Sequence, residues 1–172
     1  EAADIKDAVF QISEPEYADK IRRVQDYLAA GHSYQVNLTD RVAGTFSGSA
    51  MALYQGLLQS QPVSYAAFMD CGAYQVLSFS PELFYRTQNG SITVRPMKGT
   101  WPRGMTLEDD ALAAQNLQTD EKNRAEHVMI VDLLRNDIGR VCQMGTVQVT
   151  QLMQVERYRT LLQMTSTITG TL

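Results

Sequence analysis

The chain has 172 residues, 44% of them hydrophobic, and a net charge of -4, which supports one sizeable core and argues against two full domains. No basic block or basic helix face stands out, so nucleic acid is excluded as a partner. No apolar run reaches the ~18 residues of a membrane span, and the opening EAADIKDAVF lacks the basic and apolar regions of a signal peptide.

Ser13-Glu14-Pro15-Glu16 marks a helix start. Ser13 can cap, Glu16 can answer it three residues later, and proline is tolerated in the first turn. Tyr17, Ile21, Val24 and Leu28 then fall at helical spacing, and Gly31 closes the helix. Residues 33–42 (SYQVNLTDRV) read as a strand with Tyr34, Val36 and Leu38 on one face and Gln35 and Asn37 on the other. A short helix is expected over 49–59. Strands come next at 64–69, 73–79, 83–87 and 91–95, with turns at Asp70 and Gly72, at Pro81, and at Asn89-Gly90. Helices are expected over 107–117 and 120–135. Thr119 can cap the second, Asp120 and Glu121 complement its dipole, and Asn136-Asp137 with Gly139 breaks it. Strands at 146–155 and 161–168 complete the chain. A strand-rich middle between helices predicts an α+β fold of mostly antiparallel sheets with packed helices. Cys71 and Cys142 make no disulfide framework in a chain this size and read as reduced, buried residues of a cytoplasmic protein.

The chemistry concentrates around VRPMKGTWPRG (94–104). Pro96 is expected to stop the strand, Gly99 to free the backbone, and Trp101-Pro102 to stiffen the segment after it. Asn89-Gly90 is a strong hairpin signal. A two-residue loop there pairs Gln88 with Ser91, Tyr85 with Val94 and Glu82 with Met97, and sets Lys98 opposite Pro81. Glu82 and Lys98 then emerge at the same open end of the hairpin. Two readings fit that juxtaposition: a surface salt bridge, or a nucleophilic lysine with an acid/base partner. Glu126 shares a helical stripe with Met129, Ile130 and Leu133. A carboxylate there needs a partner, either an arginine such as Arg124 or Arg135, or a metal or substrate. His127 reads as a structural histidine, and the eight methionines as core filler.

SYQVNLT (33–39), SFSPELF (78–84), RPMKGTWPRG (95–104), KNRAEHVMIVDLLRNDIGRV (122–141) and MTSTITG (164–170) occur in one collinear series. Together they resemble the chorismate-utilising enzymes, the superfamily of aminodeoxychorismate, anthranilate, isochorismate and salicylate synthases. The resemblance implies part of the anthranilate synthase fold. Residues 1–172 would form the N-terminal part of a chorismate-binding catalytic domain, because later family segments, a glycine-rich stretch and further Mg²⁺-binding glutamates, have no counterpart here. It also implies roles. Lys98 matches a lysine typical of aminodeoxychorismate synthases, a nucleophile at C2 of chorismate, where anthranilate synthases typically have alanine. Glu82 matches a proton-transfer carboxylate, Glu126 a Mg²⁺ ligand, and Gly99 and Thr100 a substrate-contacting loop. Gln163 departs from the histidine of many relatives. The implied activity is amination of chorismate at C4, with ammonia from a glutamine amidotransferase subunit.

Overall fold

The computed structural model describes residues 4–172. The chain divides into two compact units, one ending at Leu53 and one running from Tyr54 to Leu172. Among the described residues every buried hydrophobic side chain lies between Ile92 and Ile168, so the single core expected from chain length belongs to the second unit.

In the first unit, β1 (Asp4–Phe10) pairs antiparallel with β2 (Val42–Ser47), and its register shifts between Lys6 and Val9. Asp7 sits inside that shift with φ of 53°. The α1 helix (Glu14–Ala29) begins as expected: the Glu16 carboxylate accepts from the Ser13 N–H at 2.9 Å and from its hydroxyl at 2.7 Å. Gly31 takes φ of 73° just past the helix end.

The strand expected over 33–42 does not form: residues 35–41 are irregular and β2 begins only at Val42. Alternating side chains make a strand only where a neighbouring ladder takes up the backbone polar groups. Here other bonds take some of them. The Ser33 hydroxyl donates to the Gln35 carbonyl at 2.9 Å, and the Arg41 carbonyl accepts from the Gln11 N–H at 2.9 Å. Tyr34, 90% exposed, has nothing to pack against.

The α2 helix (Ala50–Ser60) leads into the hairpin of β3 (Tyr65–Asp70) and β4 (Gln75–Ser80), paired from Tyr65↔Ser80 to Asp70↔Gln75. Asp70 shapes its turn by accepting from the Gly72 N–H at 2.9 Å. The Tyr54 ring packs against Phe68 and Phe79 with centroids 5.8 and 5.2 Å away.

The main sheet is built around its last strand. β5 (Leu83–Gln88) and β6 (Ser91–Arg95) are joined by Asn89 and Gly90 at φ of 51° and 74°, the positive pair that a two-residue hairpin loop requires. Pairing is as expected from Gln88↔Ser91 to Arg86↔Thr93. It then slips by one, so that Leu83 faces Arg95, and the expected pairing of Tyr85 with Val94 is replaced by a bulge. Pro96, which unslipped pairing would set opposite Leu83, has no N–H to donate.

β6 ends at Arg95, immediately before Pro96 as expected. A further strand, β7 (Met97–Pro102), begins at once. β8 (Gln148–Arg157) and β9 (Leu161–Thr171) complete the sheet. β9 pairs with β6 through Ser91–Val94, with β7 through Met97–Pro102, and with β8 along both stretches. β6 and β7 therefore lie end to end on one side of β9, and β8 lies on the other.

The α3 helix (Leu107–Thr119) and α4 helix (Glu121–Gly139) cover the sheet. Ala113, Ala114 and Leu117 of α3 pack with Met153, Leu162 and Met164. Val131 and Ile138 of α4 pack with Ile92, Val94 and Ile168. Asp120, rather than Thr119, caps α4, accepting from the Asn123 N–H at 2.8 Å, while the Thr119 hydroxyl turns back to the Gln115 carbonyl at 2.9 Å. At the start of α3, Asp110 is only 6% exposed. Its carboxylate takes both arms of Arg103 at 2.5 and 3.1 Å, Nε of Arg157 at 3.1 Å and the Gly104 N–H at 3.1 Å. These donors, Arg103 first, hold its pKa down at about 2.

Both cysteines are free. Cys142 is half-buried, but Cys71 is exposed at the β3–β4 turn rather than packed. Among the described residues no helix is long and apolar enough to cross a membrane.

Candidate active site

Lys98 lies at the point where β7 departs from regular pairing with β9. Met97 faces Thr165 and Thr100 faces Gln163, so β7 carries one extra residue between them. Gly99 accommodates it at φ of 91°. A Cβ on Gly99 would meet Leu117 Cδ1 at 3.1 Å and the Asn123 side chain at 3.3 Å. Glycine is therefore required twice, by the backbone conformation and by the approach of α3 and α4.

Each residue of this short segment is held from a different direction. Glu82 Oε1 accepts from the Met97 N–H at 3.0 Å. The Lys98 carbonyl bonds Nδ1 of His127 at 3.3 Å. Gly99 rests on Leu117 and Asn123. Thr100 Oγ1 accepts from Gln163 Nε2 at 2.8 Å. The half-buried Lys98 is thus carried on fixed backbone. Glu82 and Lys98 do share one end of the hairpin, but no salt bridge joins them among the described residues. The Glu82 carboxylate instead reaches the backbone one residue earlier, because the β5 bulge moves the pairing by one.

Glu126 stands one residue before His127 on α4 and is half-buried. The stripe assigned to it is not the buried one: Met129 and Leu133 are 42% and 53% exposed, whereas His127, Val131 and Ile138 face the core. Glu126 also lacks the expected arginine. Arg135 pairs with Asp132 at 3.1 Å, and Arg124 donates to the Gln118 carbonyl at 3.3 Å. Among the described residues no three His, Cys, Asp or Glu side chains converge as a metal cage. An oxygen donor without an ion-pair partner fits Mg²⁺ as one ligand of a larger set, since that ion prefers oxygen and keeps several waters.

Two clefts flank this region. One of about 290 Å³ is lined by Ser80, Glu82, Leu83, Pro96, Ile130 and Leu134, and so brings Glu82 against α4 one turn beyond Glu126. The other, about 670 Å³, lies at the C-terminal end of α4 and contains none of the five residues.

His127 is fully buried, as a structural histidine should be. Burial pushes its pKa below the usual value, opposed by the hydrogen bond to the Lys98 carbonyl. Its Nε2 lies 2.7 Å from Ser166 Oγ. Sequence patterns alone did not single out Ser166 or Asn123. The alternation of Leu162, Met164, Ser166 and Ile168 on β9 is the signal for Ser166: one polar residue in a buried apolar row.

The chain is similar to known proteins over its whole length. The family model for chorismate binding enzymes matches residues 1–172. Aminodeoxychorismate synthase component 1 of Klebsiella aerogenes is 42% identical over 94% of this chain and 36% of its own length. Anthranilate synthase component 1 of Pseudomonas aeruginosa is 38% identical over 100% of this chain and 35% of its own. The crystal structure of anthranilate synthase component I from Streptococcus pneumoniae superposes with a TM-score of 0.87 at 34% identity, over 98% of this chain and 37% of that one. The chain therefore spans just over a third of the length of the relatives it matches. A family model running from first residue to last, on a fold shared with a solved member, leaves one assignment: the chain belongs to the chorismate binding enzyme family.

Proposed function

We propose that the protein carrying this sequence aminates chorismate at C4, giving 4-amino-4-deoxychorismate, and that residues 1–172 form one part of its catalytic domain. The observation that carries this reading is Lys98 itself, a half-buried amine on backbone fixed by Glu82, His127, Gly99 and Thr100. The neutral Lys98 amine attacks C2, the ring double bonds shift, and the C4–O bond breaks. Glu82 gives the departing hydroxyl its proton, so that water leaves. Ammonia then adds at C4, the double bonds shift back, and the C2–N bond breaks to release Lys98. The carboxylate of Glu82 recovers a proton from the new ammonium. Bound Mg²⁺ would hold a substrate carboxylate near the protein, with Glu126 as one oxygen ligand. Gly99 and Thr100 line the substrate beside Lys98. The ammonia comes from a glutamine amidotransferase subunit, in keeping with the "component 1" in the relatives' names.

Anthranilate synthesis is the second reading, because the anthranilate synthase relative is nearly as similar as the aminodeoxychorismate synthase one, 38% against 42%. Product analysis separates them. The longer protein that contains this sequence is incubated with chorismate, Mg²⁺ and ammonium, and products are resolved by chromatography with mass detection. Aminodeoxychorismate is expected, with loss of at least ~100-fold in rate for Lys98→Ala, the usual scale for removing a covalent or proton-transfer catalyst. Anthranilate would establish the second reading. Unchanged activity of Lys98→Ala would remove the nucleophile.

A further inference from the structure

Two of the bulges in the main sheet flank β9 two residues apart, one opposite Met164 and one opposite Ser166. One lies on β7 at Lys98-Gly99. The other lies on β8 between Gln151 and Gln154, where Met153 adopts φ of 54°. A methionine in the left-handed region costs on the order of 1 kcal/mol and persists only where its surroundings hold it. Ser166 of β9 joins the two. Its Oγ accepts from the Met153 N–H at 2.9 Å and lies 2.7 Å from Nε2 of His127, and its own N–H donates to the Pro96 carbonyl at 3.2 Å. The other ring nitrogen of His127 meets the Lys98 carbonyl.

The partners fix the proton positions in this chain. A carbonyl only accepts, so Nδ1 of His127 must donate to Lys98. In a neutral ring whose proton is on Nδ1, Nε2 is left as an acceptor, and the Ser166 hydroxyl donates to it while its oxygen accepts from the Met153 N–H. His127 and Ser166 are both fully buried, and among the described residues no buried side-chain polar atom lacks a partner. The relay is complete, and it contains no group to exchange with solvent.

We propose that His127 and Ser166 are positioning residues for Lys98, a relay from the β8 bulge through a single ring tautomer that fixes the backbone on which the reactive amine is carried. The inference deepens the proposed role of Lys98 and rests on that reading for its catalytic meaning. The relay itself is a property of the folded chain. It makes His127 more than a core filler: its ring ties α4, which carries Glu126, to the peptide that carries Lys98.

The test uses side-chain geometry. Asn carries an N–H donor where His127 has Nδ1 and nothing where it has Nε2, whereas Gln sets its amide at the Nε2 position. His127→Asn therefore keeps the bond to Lys98, and His127→Gln keeps only the bond to Ser166. Limited labelling of the longer protein that contains this sequence with an amine-reactive ester, with peptide mapping of the products, reads the Lys98 rate against Lys6, Lys20 and Lys122. His127→Gln, which loses the direct bond to Lys98, should change the Lys98 ratio about five-fold, the worth of one buried hydrogen bond, and His127→Asn, which loses only the tie to Ser166, should change it measurably but by less. Equal ratios in both variants and the parent would overturn the proposal, as would equal changes in both. Should either variant fail to fold, ¹⁵N spectra of the parent chain decide. A neutral His127 ring protonated at Nδ1 is expected, and protonation at Nε2 overturns the relay. Labelling does not read turnover, so it can fail while Lys98→Ala still abolishes synthesis, and the reverse.

Discussion

Gly99 shows how little freedom the residues around Lys98 have. At φ of 91°, with Leu117 Cδ1 3.1 Å from where a Cβ would stand, alanine is strained by its backbone and crowded by two helices. Gly99→Ala should lower the unfolding free energy by about 2–4 kcal/mol, from left-handed strain plus overpacking. A urea titration monitored by circular dichroism measures it, and a loss below about 1 kcal/mol would mean that the bulge relaxes freely. Lys98 and Gly99 stood out as candidates because proline, glycine and tryptophan crowd one short stretch, a pattern that ordinary surface strands lack. Ser166 was not legible in that way. A serine in a strand carries no local signal, and only the buried row on β9 and the ring of His127 give it a role.

At the scale of elements, the start of α3 is tied to the end of β8 by Asp110, which holds Arg103 and Arg157 together. The pKa of Asp110, about 2, lies below its ordinary value of 3.8. A depressed carboxylate contributes stability that is fully present above the unfolded value and is lost as pH falls through the folded one. Stability should therefore decline between pH 3.8 and about 2 through this group. Asp110→Asn should melt at a lower temperature than the parent at neutral pH, with the gap narrowing towards pH 2. Thermal melts across that range measure the gap, and a constant difference would show that the contribution of Asp110 is not ionic. The same cluster was invisible to spacing arguments because its members are 7 and 47 residues apart. Capping signals, by contrast, act within one turn, and Ser13 with Glu16 formed as expected. Thr119 did not, because the adjacent Asp120 offers α4 an ionised cap.

For the whole molecule, the proportion matched is the governing fact: this chain is 36% of one relative and 35% of another. If residues 1–172 form one part of a catalytic domain, the chain alone should bind metal weakly and form no product from chorismate, Mg²⁺ and ammonium. The assay that identifies products of the longer protein tests this directly, and measurable synthesis by the 172-residue chain would refute the partial-domain reading. The fold class was readable at this scale. Helices flank a strand-rich middle in sequence order, the Asn89-Gly90 hairpin closes as a two-residue loop, and antiparallel pairing results. The five motifs likewise pointed to the family by themselves, because their order and spacing are properties of the chain.

What the sequence by itself determined was local: helix starts, turns and the hairpin loop, all governed by neighbours a few positions away. The tertiary structure decided the rest. It denied residues 33–41 a ladder partner and gave one to Met97–Pro102 beyond a proline. It turned His127 and Val131 inward while leaving Met129 and Leu133 exposed, so Glu126 stands beside the buried face of α4 and not on it. It also gave the Glu82 carboxylate the Met97 amide as a partner in place of the salt bridge to Lys98 that was one of the two readings. Each of these depends on which backbone lies alongside, since a strand forms by sharing hydrogen bonds with another and a face is buried only by what packs on it.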